Sequence, residues 1–217
     1  MRKWGIIISL LYALIVLGLL VPGMAVLADS TFLQSGSIFK NLGDLYSVWI
    51  VWIPIAAVLL FVSADTSQKR LKPRASIAVS YTVTAMLFAL LTFAAFSSVG
   101  AAAYGDRFGQ LWPSETYVIG AWAILWLLWG VVFLLFFRNS NGATSRLVSW
   151  LLKGSVLELL IAVPCHVIVR RRQDCSAPVA TSFGIATGVA VMLLAFGPSV
   201  LLLYKKRLDA YAARDSK

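Results

Sequence analysis

Ionisable and metal-ligating side chains are scarce in this chain. Its 217 residues include nine Asp and Glu, one histidine and two cysteines, and only 13% are charged. A soluble domain carries about 25% charged residues, so a freely soluble fold is excluded. Two cysteines and one histidine cannot complete a four-ligand zinc site of Cys and His alone, and one histidine excludes a bis-histidine haem within the chain. The Cys-x-x-Cys spacing of dithiol redox motifs is missing. Neither a nucleophile–base pair nor an acidic metal cluster is visible, which disfavours an enzyme. No cofactor and no metal are expected.

Apolar side chains dominate what remains: 60% of the residues are hydrophobic and the mean hydropathy is +0.85. The net charge of +10 comes from basic residues in short clusters that flank apolar runs. That is how membrane topology is written, and it argues against a nucleic-acid-reading face. The expected fold is therefore all-α: a single integral membrane domain, residues 1–217, forming a polytopic bundle of six transmembrane helices. The spans fall at 4–28, 46–64, 76–99, 116–137, 147–169 and 180–204, each near the roughly 20 residues a bilayer crossing needs.

The first run also carries features of a signal peptide, with Arg2 and Lys3 ahead of the apolar stretch and Val26-Leu27-Ala28 before Asp29. Its length favours a retained helix, and the later topology is the same either way. With both termini cytoplasmic, fourteen of the 19 Lys and Arg residues fall inside, the densest group being Lys69, Arg70, Lys72 and Arg74. Lys40, Arg107, Arg170, Arg171 and Arg172 fall outside. The bias sets the orientation expected for a multi-pass protein of a cell inner membrane, and the arginine triplet is its one violation.

Three readings of Arg170, Arg171 and Arg172 stand side by side. Guanidinium forks bind phosphate or carboxylate, in an anionic lipid head group or a substrate. Alternatively, the arginines anchor a helix end at the interface by snorkelling. In the third, Pro164 turns the fifth segment back as a re-entrant hairpin, which moves the triplet inside.

The same segment carries the candidate site. Glu158 lies mid-span, where a carboxylate must be protonated, paired or wetted. Helical spacing puts Glu158, Ala162, Cys165 and Val169 on one stripe, with His166 at its edge and Ser155 a turn below. Glu158 and His166 are candidates for a proton or ion relay through water; the alternative is a neutral Glu158 holding one interhelical hydrogen bond, for example to a threonine of the third span. Cys165 and Cys175 could close a disulfide in an oxidising compartment. Metal binding by Cys165, His166, Cys175 and Glu158 matches no known ligand spacing.

Two further patterns concern packing. Ala180, Gly184 and Gly188 form a small-xxx-small face that admits a close partner helix, in this chain or in an oligomer. Trp122, Trp126 and Trp129 share one helix face, either as packed or lipid-facing bulk or as a stacking surface for a ring-bearing ligand.

The run GSVLELLIAVPCHVIVRRRQDC, followed by SFGIATGVAVMLLAFGPSV, resembles the motif of an uncharacterised family of small polytopic bacterial inner-membrane proteins. That motif reads G-S-x-L-E-L-L-x-A-x-P-x-H-x-x-V-x-R-R-R-x-x-C-C, then G-I-A-x-G and F-G-P-G. Gly154, Ser155, Glu158, Pro164 and His166 match it in register, and Arg170 to Arg172 and Cys175 match it once the one-residue spacer before the arginines is left out. Ser176 stands where the family has a second cysteine, and Ser199 where it has a final glycine. The resemblance covers about the last third of the chain. It implies a membrane protein with a site on this segment and assigns no function; Ser176 counts against a mechanism that needs adjacent cysteines.

The leading expectation is a small transporter or channel-like protein, or a subunit of one, moving protons, ions or an anionic solute. The alternative is a non-catalytic scaffold or lipid-head-group-binding accessory protein whose small-residue face takes a partner helix. The expected partners are the bilayer itself, anionic head groups, and a partner helix or second copy; nucleic acid is not among them.

Overall fold

The computed structural model describes residues 7, 10–16, 18, 53–57, 73–111, 115–137 and 143–215. Four long helices account for most of them: α1 (Pro73–Tyr104), α2 (Glu115–Phe137), α3 (Ala143–Arg172) and α4 (Ala177–Asp215). A 3₁₀ turn, Gly105–Leu111, follows α1 directly, and no strand occurs among the described residues. Four segments are long and apolar enough to cross a membrane: Ser80–Phe108, Thr116–Phe136, Ser145–Arg172 and Ala177–Val200. They correspond to the third to sixth expected spans. The first two, 4–28 and 46–64, fall largely outside the described residues. Within them residues 10–16 and 53–57 are helical, and Ala13, Val16, Ile53, Ala56 and Ala57 are buried in the common core.

The helices α1, α3 and α4 pack against one another in all three pairings, whereas α2 packs chiefly on α1. Small residues make the three-helix contact possible. Ala85, Ala89, Ala94, Ser98 and Ala101 on α1 are fully buried, and backbones separated by small side chains approach closely enough for dispersion to hold them. The helix α2 is attached by its aromatic face. The Trp126 Nε1–H donates to the Thr82 carbonyl at 3.2 Å, and the Trp129 Nε1–H to the Thr92 hydroxyl at 3.0 Å. The Trp129 ring also lies 4.8 Å from Phe88 and 5.4 Å from Phe133, centroid to centroid. The tryptophan stripe is thus packed bulk along most of its length. The other face of α2, with Ile124, Leu127, Leu128, Val131 and Leu135, is exposed, as a lipid-facing surface is.

Several expected boundaries move. The chain is helical through Tyr104 before the 3₁₀ turn, so the expected loop from Gly100 begins later. The fifth helix begins earlier than the expected 147, at Ala143. The helix then runs unbroken for 30 residues through Pro164 to Arg172, about 45 Å of rise. A re-entrant hairpin is thereby ruled out. Pro164 removes one backbone donor, yet it sits exposed on α3. The arginine triplet lies in the last helical turn and not in a loop. Cations there oppose the negative end of the helix dipole. Gln173 then ends α3 with φ of 58°, a left-handed conformation that costs a non-glycine residue about 1–2 kcal/mol.

Four residues link α3 to α4, and one carboxylate from elsewhere organises them. Asp106, in the 3₁₀ turn, accepts hydrogen bonds from the backbone N–H of Cys175 (3.1 Å), Ser176 (2.7 Å) and Ala177 (3.2 Å), and from the Ser176 hydroxyl (2.9 Å). It caps the first turn of α4, whose N–H groups have no partner within the helix. Alongside, Arg172 Nη1 donates to the Ala102 carbonyl near the end of α1 at 2.6 Å. At the opposite end the Tyr12 hydroxyl donates to the Leu193 carbonyl, docking the N-terminal stretch next to the Gly197-Pro198 step of α4.

Candidate functional site

One stripe of α3 faces the core: Leu151, Ser155, Glu158, Ala162, His166 and Val169 are all buried. Spacings of three and four residues keep them on one face. His166 belongs to this stripe, and Cys165 lies beside it, half-buried; the expected order of those two is reversed. The opposing surface of α4 presents Thr181, Gly184 and Gly188, all buried.

Glu158 sits where α3, α4 and α1 meet, and is 2% exposed. A Cβ on Gly188 would occupy the space of Glu158 Oε2. A Cβ on Gly184 would stand 3.3 Å from Glu158 Oε1 and overlap Ser98 Oγ of α1. The carboxyl group therefore lies flat in a seam that exists only because residues 184 and 188 have no side chains. This assigns the small-residue face: Gly184 and Gly188 receive α3 of the same chain.

Neither oxygen of Glu158 has a hydrogen-bond partner among the described residues, and neither does Ser98 Oγ. Both side chains lie within 4 Å of one point, the missing Cβ of Gly184. The threonine partner expected from the third span is not there. Thr82 and Thr92 bond back to the Ala78 and Phe88 carbonyls at 2.9 and 2.8 Å, and the α1 hydroxyl that faces Gly184 together with Glu158 is the one on Ser98. An ionised carboxylate with no donor in such a place costs several kcal/mol even after relaxation, a cost that a bound proton or cation would offset.

His166 is occupied. Its Nδ1 is 2.8 Å from the Thr181 hydroxyl, which also lies 3.1 Å from the Pro178 carbonyl. With the Thr181 proton on Pro178, His166 donates through Nδ1–H, and the ring ties α3 to α4. The two candidate relay residues stand about two helical turns apart, as their spacing in the sequence implies. Eight residues of helix, about 12 Å of rise, separate them, with the buried Ala162 beside Gly184 in between.

The remaining candidates scatter. Arg170, Arg171 and Arg172 are exposed at the end of α3. Cys165 and Cys175 are free thiols, the first half-buried in α3 and the second exposed in the turn. The possible disulfide between them is not formed in this structure. Cys165, His166, Cys175 and Glu158 form no metal-ligand group, nor does any other set of three His, Cys, Asp or Glu among the described residues.

A second feature adjoins Glu158. A groove of about 590 Å³ runs between α1, α2 and α3, lined by Phe88, Trp129, Trp150, Lys153, Gly154 and Glu158 among others. Its surface is almost wholly apolar, Glu158 is part of its lining, and Gly184 and Gly188 are not.

Sequence reasoning passed over Ser98, Thr181 and Asp106. Each is a small polar residue whose role comes from a partner far along the chain, and no local pattern marks such residues. Comparison with protein-family models, with curated proteins and with solved structures finds no match to this chain. The site therefore rests on its own geometry.

Proposed function

We propose that this chain is a small multi-pass transport protein of a bacterial inner membrane, or the membrane subunit of one, in which Glu158 carries the exchanged proton or cation. One observation carries the reading: Glu158 is buried at the meeting of three helices, with both carboxyl oxygens lacking a donor among the described residues. A scaffold gains nothing from such a group. An unsatisfied buried polar atom costs about 1–3 kcal/mol, and a leucine or methionine there would hold the helices better. A transport site needs the opposite property, since its ligand must be held strongly enough to enter and weakly enough to leave. Ser98, equally without a partner among the described residues, supplies a second oxygen beside the carboxyl. The scaffold reading also loses its docking face, because Gly184 and Gly188 are filled by α3.

In this reading six spans cross the membrane, both termini lie inside, and the arginine end of α3 lies outside. Arg170 and Arg171 are exposed at that surface and supply contacts to anionic head groups. The test is proton and cation flux in proteoliposomes, comparing the wild type with Glu158→Gln. Flux that disappears in a variant of unchanged thermal stability supports the proposal. Equal flux in both proteins, or none in either, removes it.

A further inference from the structure

We propose that the groove between α1, α2 and α3 binds a large hydrophobic organic cation, which takes the place of the proton on Glu158. The inference rests on the transport reading and names its substrate class.

The groove has the dimensions of a small-molecule site. Its volume of about 590 Å³ lies within the roughly 300–1,000 Å³ of ligand pockets. Aromatic rings come from three different helices: Phe88 from α1, Trp129 from α2 and Trp150 from α3. The Trp129 Nε1–H is already taken by Thr92 and the ring packs on Phe88 and Phe133, so a ligand would meet the part of the ring that still lines the groove. Gly154 completes the wall. A Cβ there would stand 2.9 Å from the Phe88 ring, so the ring lies directly on the α3 backbone.

The chemistry of this lining selects its ligand. A small inorganic cation keeps a tightly held hydration shell, and an apolar groove has few oxygens to replace it. A neutral polar solute would lose its hydrogen bonds with water for the same reason. A delocalised cation with an apolar periphery loses little hydration, buries its surface against aliphatic side chains and gains cation–π attraction from the rings. Among the described residues the one acidic group in the lining is Glu158.

Exchange follows from the placement of Glu158. Its oxygens now lie against Gly184 and Gly188 in the seam, while its flank lines the groove. Rotation about the side-chain torsions turns the carboxyl from one to the other. As the cation enters, the carboxyl O–H bond breaks, the proton leaves to solvent, and the carboxylate stays as counter-ion. One proton is released for each cation bound, and return of the proton ejects the ligand. The groups around the carboxyl do not compete for this role. The helix α1 contributes the neutral Ser98 and α4 the two glycines; α2 places no ionisable group in the groove lining, and His166 is held by Thr181 two turns away. Lys153 also lines the groove but is exposed, and its long stem lets the ammonium reach polar surroundings.

The test uses the purified full-length protein in detergent, with radiolabelled tetraphenylphosphonium as the probe and proton release followed in weak buffer. The expected result is saturable binding with one proton released per cation, both lost in Glu158→Gln. Binding should weaken about tenfold in Trp129→Ala, the scale of one cation–π contact, and stay within a few-fold of wild type in Trp129→Phe, which keeps a ring in the wall. Lys153→Met should bind as well as wild type or better. Binding that persists unchanged in Glu158→Gln is partition into an apolar surface and overturns the inference. So does binding lost in Lys153→Met but kept in Glu158→Gln, which would assign the groove to an acidic amphiphile. Absence of saturable binding alongside Glu158-dependent proton flux also overturns it while leaving the transport reading intact; absence of both removes the two together.

Discussion

Gly188→Ala tests the seam most directly. The added methyl would fall on Glu158 Oε2 and stand 2.8 Å from Cγ and Cδ2 of Leu159. Forcing a methyl into a closed contact costs about 1–3 kcal/mol. Against this, alanine is better than glycine in a helix interior by roughly 1 kcal/mol. The net expectation is a loss of about 1 kcal/mol, or about 2–4 °C in melting temperature for a protein of this size. In a Glu158→Ala background the larger overlap is gone and only the Leu159 contact remains. There the same substitution should be neutral or stabilising by up to about 1 kcal/mol, which makes the coupling between the two sites about 1–2 kcal/mol. Gly130→Ala on α2 is the reference, because a Cβ at that position meets nothing within 4 Å and should show the propensity gain alone. The assay is thermal unfolding of the four purified variants and the wild type in one detergent. If Gly188→Ala is as benign as Gly130→Ala, or acts equally in both backgrounds, Glu158 does not lie in the glycine seam.

Further outcomes follow from the same geometry. Replacing Glu158 by methionine removes two oxygens that lack donors among the described residues and should raise stability by about 1–3 kcal/mol while abolishing flux; a clear loss of stability would mean that the carboxyl has a partner. Asp106→Ala should speed hydrogen exchange at the amides of Ser176 and Ala177, which the carboxylate now holds, with Asp106→Asn intermediate; unchanged exchange would remove Asp106 as the cap of α4. An impermeant maleimide should label the exposed Cys175 quickly, without prior reduction, and from the outer face of oriented vesicles, with Cys165 much slower. Labelling of Cys175 only after reduction would restore the disulfide, and labelling from the inner face would invert the topology. Finally, Thr181→Val should cost about 1–3 kcal/mol, because it strips the buried His166 Nδ1 of its partner; a neutral effect would show that His166 finds another.

Much of this protein is legible without coordinates. Hydropathy and charge clustering are local properties, so runs long enough to cross a bilayer stand out one by one. The four described apolar helices fall where the runs from Ser76, Thr116, Leu147 and Ala180 lie. The energetic cost of ionisable groups in hydrocarbon likewise singles out Glu158 and His166 before any fold is known. Helix periodicity carries further, placing Ser155, Glu158, Ala162 and Val169 on one face. It separates Cys165 from His166 less well, because adjacent residues at the edge of a stripe differ by a fraction of a turn.

What the residues do to one another is decided only in three dimensions. Whether a buried carboxyl has a donor depends on helices distant in sequence, and so does the identity of the helix that fills the Gly184 and Gly188 face. Asp106 caps a helix that starts about 70 residues later, and nothing near it in the chain marks it for that role. The arginine triplet reads as a topological anomaly in one dimension, and in three as the closing turn of α3, tied to α1 through Ala102. Transfer free energy sums residue by residue along a run, so a sequence determines its spans. Hydrogen-bond satisfaction and steric fit are properties of pairs, and the pairs exist only once the helices have packed.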